Sequence, residues 1–260
     1  LEFRRVLFRS GEDLGRVRLD AARRLPGDRI WALLTEGGER HAGPLDRPTR
    51  WLPKSCFLRG AASAALQAVQ GGWAEGGPDG PIRLSHPDLP DLVFDPVTGG
   101  AQLLEWIRPL WPADKPAPAR LVQGPTGWTD VAQPWISILS LASLRDLEAR
   151  LGQPLITERW RGNIWLDGWD AYAERDLVGQ VLTIGGAELR VTQTIGRCPA
   201  TSADTATGRI DIDMPEALKA HAVATYTMIL YNNERGIAPA VILKTPVSSA
   251  TEKAVAEVIG

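Results

Sequence analysis

Trp160-Arg161-Gly162-Asn163-Ile164-Trp165-Leu166-Asp167-Gly168 is the stretch on which the reading of this chain turns. Ile164–Leu166 is a short apolar run closed by Asp167-Gly168, which predicts a strand ending in a turn. Alternation puts Asn163 and Trp165 on one face of it. An arginine and an asparagine at the mouth of such a strand either make strand-end hydrogen bonds or face a ligand. Upstream, residues 135–139 read as an apolar strand running into a helix over Leu141–Leu151. Leu141, Leu144, Leu147 and Leu151 share one face of that helix, Ser143 and Asp146 suggest a capping-box variant, and Gly152 closes it. Downstream, residues 181–184 and 187–192 flank Gly185-Gly186, a two-residue hairpin signal. Ile210, Ile212 and Met214 alternate with Asp211 and Asp213, and Pro215 then suits the first turn of a short helix reaching about His221.

The first half reads less regularly. Val17 and Leu19 alternate with Arg16, Arg18 and Asp20 as in a half-buried strand. A turn at Pro26-Gly27-Asp28 leads into an apolar run over 30–34, and residues 61–70 suggest a short helix. Between 71 and 134 the chain is rich in Pro, Gly and Trp, with short apolar pieces such as Leu92-Val93-Phe94, and 109–125 is the expected boundary. The first ten residues differ from the rest. They are basic and apolar without a clean period, lack the pattern of a signal peptide, and end in Leu7-Phe8-Arg9-Ser10, which resembles translated sequencing adapter. They are expected to be an assembly artefact. The expected division is therefore 1–10 as artefact, 11–125 as a smaller β-barrel-like domain truncated at its start, and 126–250 as a second domain. Many short strands with few helices point to a mostly β (α+β) fold built on an antiparallel barrel.

The 260 residues are 44% hydrophobic and 23% charged, ordinary globular usage with room for one large core or two smaller ones. A net charge of −2 argues against a nucleic-acid partner. No apolar run approaches the ~18–20 residues of a membrane span. Only Cys56 and Cys198 are present, too few for an iron–sulfur cluster or a cysteine-rich zinc site, and such a chain reads as intracellular, with a cytoplasmic location expected. Neither GxGxxG nor a P-loop occurs. His41, His86 and His221 stand in no ligand spacing and are expected at the solvated surface.

The richest chemistry lies in Gly196-Arg197-Cys198-Pro199-Ala200-Thr201-Ser202-Ala203-Asp204. A cysteine beside an arginine, in a turn after a strand, is a candidate thiolate, because positive charge favours the ionised sulfur. From composition alone, a small buried apolar cysteine is the commoner reading. Ten tryptophans are present, with Trp160, Trp165 and Trp169 around the opening stretch. They form either core packing or an aromatic platform beside a ligand.

Taken together, Arg161-Gly162-Asn163, Ala173-Glu174, Val178-Gly179-Gln180, Arg197-Cys198 and Thr207-Gly208 occur in the order and spacing of the MOSC domain, which they resemble over roughly 130–215. Gly27-Asp28-Arg29-Ile30-Trp31 resembles the G-D-R-x-W/F pattern of the β-barrel domain that precedes MOSC in the mitochondrial amidoxime-reducing component and its bacterial relatives, and Trp51, Pro53 and Lys54 fit a later segment loosely. The resemblance implies a molybdenum cofactor (Mo-molybdopterin), with Cys198 as the metal ligand and catalytic thiolate. It implies that Arg29 and Arg161 bind the cofactor, with Asn163, Thr201 and Ser137 as further cofactor-binding residues, and that Glu174 is structural. It also implies an oxidoreductase of N-hydroxylated or N-oxide small molecules. Electrons would come from a separate partner, a flavin reductase with an iron–sulfur or haem protein. A non-catalytic molybdopterin carrier or sulfur-handling protein is the alternative, and pyridoxal phosphate binding is a further family-level possibility. Two departures stand out. The family's opening Y-P-x-K-S/G strand is replaced here by the foreign-looking segment, and Gly236-Ile237-Ala238-Pro239-Ala240-Val241 stands where G-x-I-x-x-G-D-x-V is usual.

Overall fold

The structure is a computed structural model, describing residues 2–7, 10–13, 16–20, 24–44, 46–74, 80–221, 227–231 and 240–242. In the first half the strands are β1 (Glu2–Leu7), β2 (Ser10–Asp13), β3 (Arg16–Arg18), β4 (Trp31–Thr35), β5 (Gln70–Trp73), β6 (Ile82–His86), β7 (Leu89–Phe94) and β8 (Pro118–Gln123), with helices α1 (Glu36–Ala42) and α2 (Gly100–Ile107). In the second half follow β9 (Trp135–Ser140), α3 (Leu141–Leu151), β10 (Ile164–Leu166), β11 (Val181–Ile184), β12 (Ala187–Thr194), α4 (Met214–Ala220), β13 (Thr227–Tyr231) and β14 (Ala240–Ile242).

Seven strands pair in the order β11-β12-β13-β9-β10-β1-β2. Within it β9 and β10 run parallel, Ile164 opposite Ile138, with α3 as the crossover. The backbone of the foreign-looking segment extends this sheet: Glu2 and Phe3 pair antiparallel with Trp165 and Ile164. Separate small sheets join β4 to β8, β14 to β3, and β5-β6-β7 in a meander. The class is α+β, with helical and strand segments in comparable amounts rather than mostly strand. The expected closed barrel is not seen among the described residues, where the seven strands form an open sheet.

Four apolar cores hold the described residues, and two of them set the arrangement. The inward residues of β9, β10 and β12 (Ile136, Ile138, Ile164, Leu189, Val191) pack with Val17, Leu19 and Leu25. In the first half, the meander and α2 close over β4 and β8 through Leu33, Ile82, Leu84, Leu103 and Leu121. Residues 118–123, inside the stretch read as a boundary, are thus a strand of the first half, because Leu121 and Val122 alternate onto its two cores.

Local expectations meet the structure as follows. The helix at 141–151 and the Gly185-Gly186 hairpin form as the sequence predicts, with Gly152 left-handed at φ 67°. The cap differs: Ser140, not Ser143, accepts the Ser143 N–H at 3.3 Å. The Ser143 hydroxyl instead donates to buried Glu174 at 2.8 Å, which gives that glutamate a structural role. Residues 64–68 wind as a 3-10 turn instead of the α-helix expected over 61–70. The 210–214 alternation is no strand. Ile210 makes one bridge to Ala203, and Asp211, still exposed, pairs with buried Arg159 instead. His86 is buried rather than solvated, held between the Ala65 carbonyl and the Asp88 N–H, both at 3.1 Å. The departures at the opening strand's side chains and at 232–239 lie outside the described residues.

Candidate functional site

A cavity of about 200 Å³ is lined by both halves of the chain. The second half contributes Ser137 from β9, Arg161 and Asn163 before β10, and Cys198 after β12. The first half contributes Arg29, Trp31, Lys54, Phe57, Leu58 and Arg59. Five of the six residues singled out in the sequence therefore face one space.

Two of them reach it through an uncommon backbone. Arg29 and Arg161 are left-handed, at φ 51° and 50°, a region that non-glycine residues seldom occupy outside constrained sites. Arg161 terminates a 3-10 turn over Thr157–Trp160, its N–H bonded to the Glu158 carbonyl at 3.1 Å. That turn projects the side chain out of the sheet into the cavity wall. Arg29 follows the Pro26-Gly27-Asp28 turn and pairs with buried Asp28. Its other guanidinium nitrogen donates to the Arg161 carbonyl at 3.1 Å, so a first-half side chain grips the second-half turn. Gly127 must be glycine here, since it is left-handed and a Cβ would lie 2.5 Å from the Asp28 carbonyl oxygen.

Arg161 itself is unusual. Among the described residues its guanidinium has no hydrogen-bond or ion-pair partner. Desolvation pulls its pKa below the ordinary arginine value and the nearby Arg29 cation pushes it the same way, against weaker pulls from Asp130, Cys198 and Asp28. A desolvated cation without a partner is unfavourable unless something anionic meets it.

Asn163 and Ser137 lock to one another. The Asn163 side-chain carbonyl accepts from the Ser137 N–H at 3.1 Å and its hydroxyl at 2.9 Å, and the Ser137 hydroxyl accepts from the Asn163 N–H at 3.0 Å. The pair joins β9 to β10 at the cavity floor, so strand-end bonding and lining coexist. Gly162, between Arg161 and Asn163, has no room for a side chain: a Cβ would meet Leu139 Cδ1 at 2.2 Å.

Cys198 is exposed, at the start of a 3-10 turn over Pro199–Ser202. Thr201 does not line the cavity. It is buried behind the cysteine, donating from both its N–H (3.1 Å) and its hydroxyl (2.9 Å) to the Cys198 carbonyl. Its part is to shape the turn. Cys56 is buried in the first half, where desolvation raises its thiol pKa and keeps it neutral.

Several lining groups had little signal in the sequence. Trp128 comes from the irregular link between halves and tilts against Phe57 with ring centroids 4.8 Å apart, while Trp135 opens β9. The link is held by buried Arg24, which donates to the carbonyls of Thr126, Val131, Ala132 and Gln133. Trp165 is core, and Trp160 is both buried and at the cavity edge, under the Arg197 guanidinium at 5.7 Å. With Arg29, Lys54, Arg59, Arg161 and Arg197 against Asp130, the lining is cationic in a chain whose net charge is −2. Among the described residues no three His, Cys, Asp or Glu side chains converge as a metal cluster, and no helix is long and apolar enough to cross a membrane.

Two comparisons with known proteins bear on the second half of the chain. The chain is similar to mitochondrial amidoxime-reducing component 1 of Homo sapiens, 39% identical over 85 residues, or 32% of this chain and 25% of that protein. The chain thus matches about a quarter of the relative's length. The MOSC domain family matches residues 130–238. The segment that carries Ser137, Arg161, Asn163 and Cys198 is a MOSC domain.

Proposed function

We propose that this chain binds the molybdenum cofactor in the cavity and acts as a reductase of N-hydroxylated or N-oxide compounds, with electrons from a separate flavin- and iron–sulfur- or haem-containing partner. One observation supports the reading above the others. An unpartnered guanidinium, a second arginine and an exposed cysteine face one cationic cavity. Such a donor set suits a ligand with an anionic phosphate and a soft metal.

Arg161 and Arg29 would hold the phosphate and pterin oxygens, Arg161 by a charge-assisted pair and Arg29 while tied to Asp28. Ser137 and Asn163 would set the floor, and Cys198 would give the metal its protein thiolate. When bound, the molybdenum centre supplies a two-electron couple by which the substrate oxygen leaves as water. Trp31, Phe57 and Leu58 would exclude bulk water from the far wall, and Lys54 with Asp130, 3.5 Å apart, would border the mouth. We further propose the division into 11–125 and 126–250 and a cytoplasmic location.

A carrier or sulfur-handling role is the second reading, favoured by the exposure of the Cys198 thiol. The deciding experiment is elemental and pterin analysis of protein made in a cofactor-producing host, followed by reduction of a hydroxylamine-type substrate with reconstituted electron donors. About one molybdenum per chain with turnover is expected. Bound cofactor without turnover would favour the carrier, and absence of molybdenum would overturn both.

A further inference from the structure

We infer that Arg159 is a positioning residue that sets the cysteine loop and the cavity arginine in one frame. The inference rests on the proposed site, in that it says how its two ends are held.

Arg159 lies two residues ahead of Arg161, inside the 3-10 turn that Arg161 terminates, and does not line the cavity. It is 3% exposed and forms a two-pronged ion pair with Asp211, 2.8 and 2.7 Å. Its Nη1 also donates to the Thr201 carbonyl at 3.1 Å. Thr201 in turn bonds twice to the Cys198 carbonyl. A continuous chain of hydrogen bonds therefore runs from Asp211 through Arg159 and Thr201 to Cys198. Asp211 is fixed from its own side, since its N–H donates to the Ser202 carbonyl at 3.1 Å. The loop closes on itself, with Asp204 accepting from the Ala206 N–H and the Thr207 hydroxyl. Only two peptide units separate Arg159 from Arg161. Any shift of the segment moves the cavity guanidinium and the cysteine together. A lysine in place of Arg159 could not span Asp211 and the Thr201 carbonyl with a planar fork.

The test uses the cofactor-free full chain. Arg159→Gln, Arg159→Lys and Asp211→Asn are compared with the parent for three readouts: thermal unfolding, amide exchange over 198–204, and the iodoacetamide alkylation rate of Cys198 mapped by peptide mass. In folded variants, Thr201 amide exchange is expected to quicken about tenfold, the factor that about 1.4 kcal/mol gives. Alkylation should change several-fold, and Arg159→Lys should recover only part of the loss. Molybdenum retention in cofactor-loaded samples should fall roughly 10- to 100-fold, as for other residues that orient a metal ligand. If Arg159→Gln fails to fold, Asp211→Asn, at a partly exposed position, decides alone. Parent-like exchange and alkylation in a folded Asp211→Asn overturn the inference. Changed exchange in a protein that never takes up molybdenum upholds the positioning role while the cofactor reading fails.

Discussion

At the residue scale, Arg161 and Cys198 are separable from stability. Arg161 is a desolvated cation whose pKa is lowered, so its charge opposes folding of the cofactor-free chain instead of supporting it. Arg161→Ala is therefore expected to leave the cofactor-free unfolding temperature unchanged or raised. Its cofactor dissociation constant should rise roughly 10- to 150-fold, as loss of a charge-assisted bond of about 1.5–3 kcal/mol predicts. Metal content after dialysis, beside the melting curve of the cofactor-free form, measures both. A large fall in that melting temperature would make the arginine structural. The cysteines should divide the other way. Cys198→Ala, at an exposed position, abolishes reduction at nearly unchanged stability, whereas Cys56→Ala keeps reduction and costs about 1 kcal/mol through the small void it leaves. Equal loss of activity in two folded variants would assign the cysteines a shared role.

Among the elements, the cysteine loop is pressed between the halves. Gly208 is left-handed at φ 68°, and a Cβ on it would stand 2.8 Å from Ala65 Cα in the 3-10 turn of the first half. Gln70 Nε2 adds a bond to the Thr205 carbonyl at 3.3 Å. The Thr207-Gly208 pair thus ends the loop and permits it to seat. Gly208→Ala carries both a backbone and a contact penalty, about 1–3 kcal/mol each by ordinary magnitudes. Urea unfolding should show a loss of about 2–6 kcal/mol, with metal retention weakened as well. Gly196→Ala serves as the control, because nothing lies within 4 Å of its added Cβ and its φ is ordinary. Similar losses in both would remove the packing explanation.

For the whole molecule, a ligand held by both halves should bind the folded state and not the unfolded chain. At about 100 times its dissociation constant such a ligand stabilises by roughly 2.7 kcal/mol. In a chain of this size that corresponds to a rise in Tm on the order of 5–10 °C. Stripping the cofactor should lower Tm by that amount, and reloading should restore it in the parent but not in Arg161→Ala. A parent whose Tm ignores cofactor content would mean that the ligand does not bridge the halves.

Local pattern sufficed wherever the decisive interaction was near in sequence. The helix at 141–151, the Gly185-Gly186 hairpin, the strand at 164–166 and the Arg161, Asn163 and Cys198 motifs were legible because periodicity, turn chemistry and motif spacing are carried by neighbouring residues. Tertiary structure decided what depends on distant partners. Thr201 turned its back to the cavity because the Cys198 carbonyl needed its donors, and His86 went inside because Ala65 supplied an acceptor. Asp211 left its apparent strand for Arg159, 52 positions away. Trp128 joined the cavity through a link that Arg24 folds from more than a hundred residues off. Burial selects such pairings, since a desolvated polar group must find a partner wherever the fold brings one. No local pattern records where that partner lies.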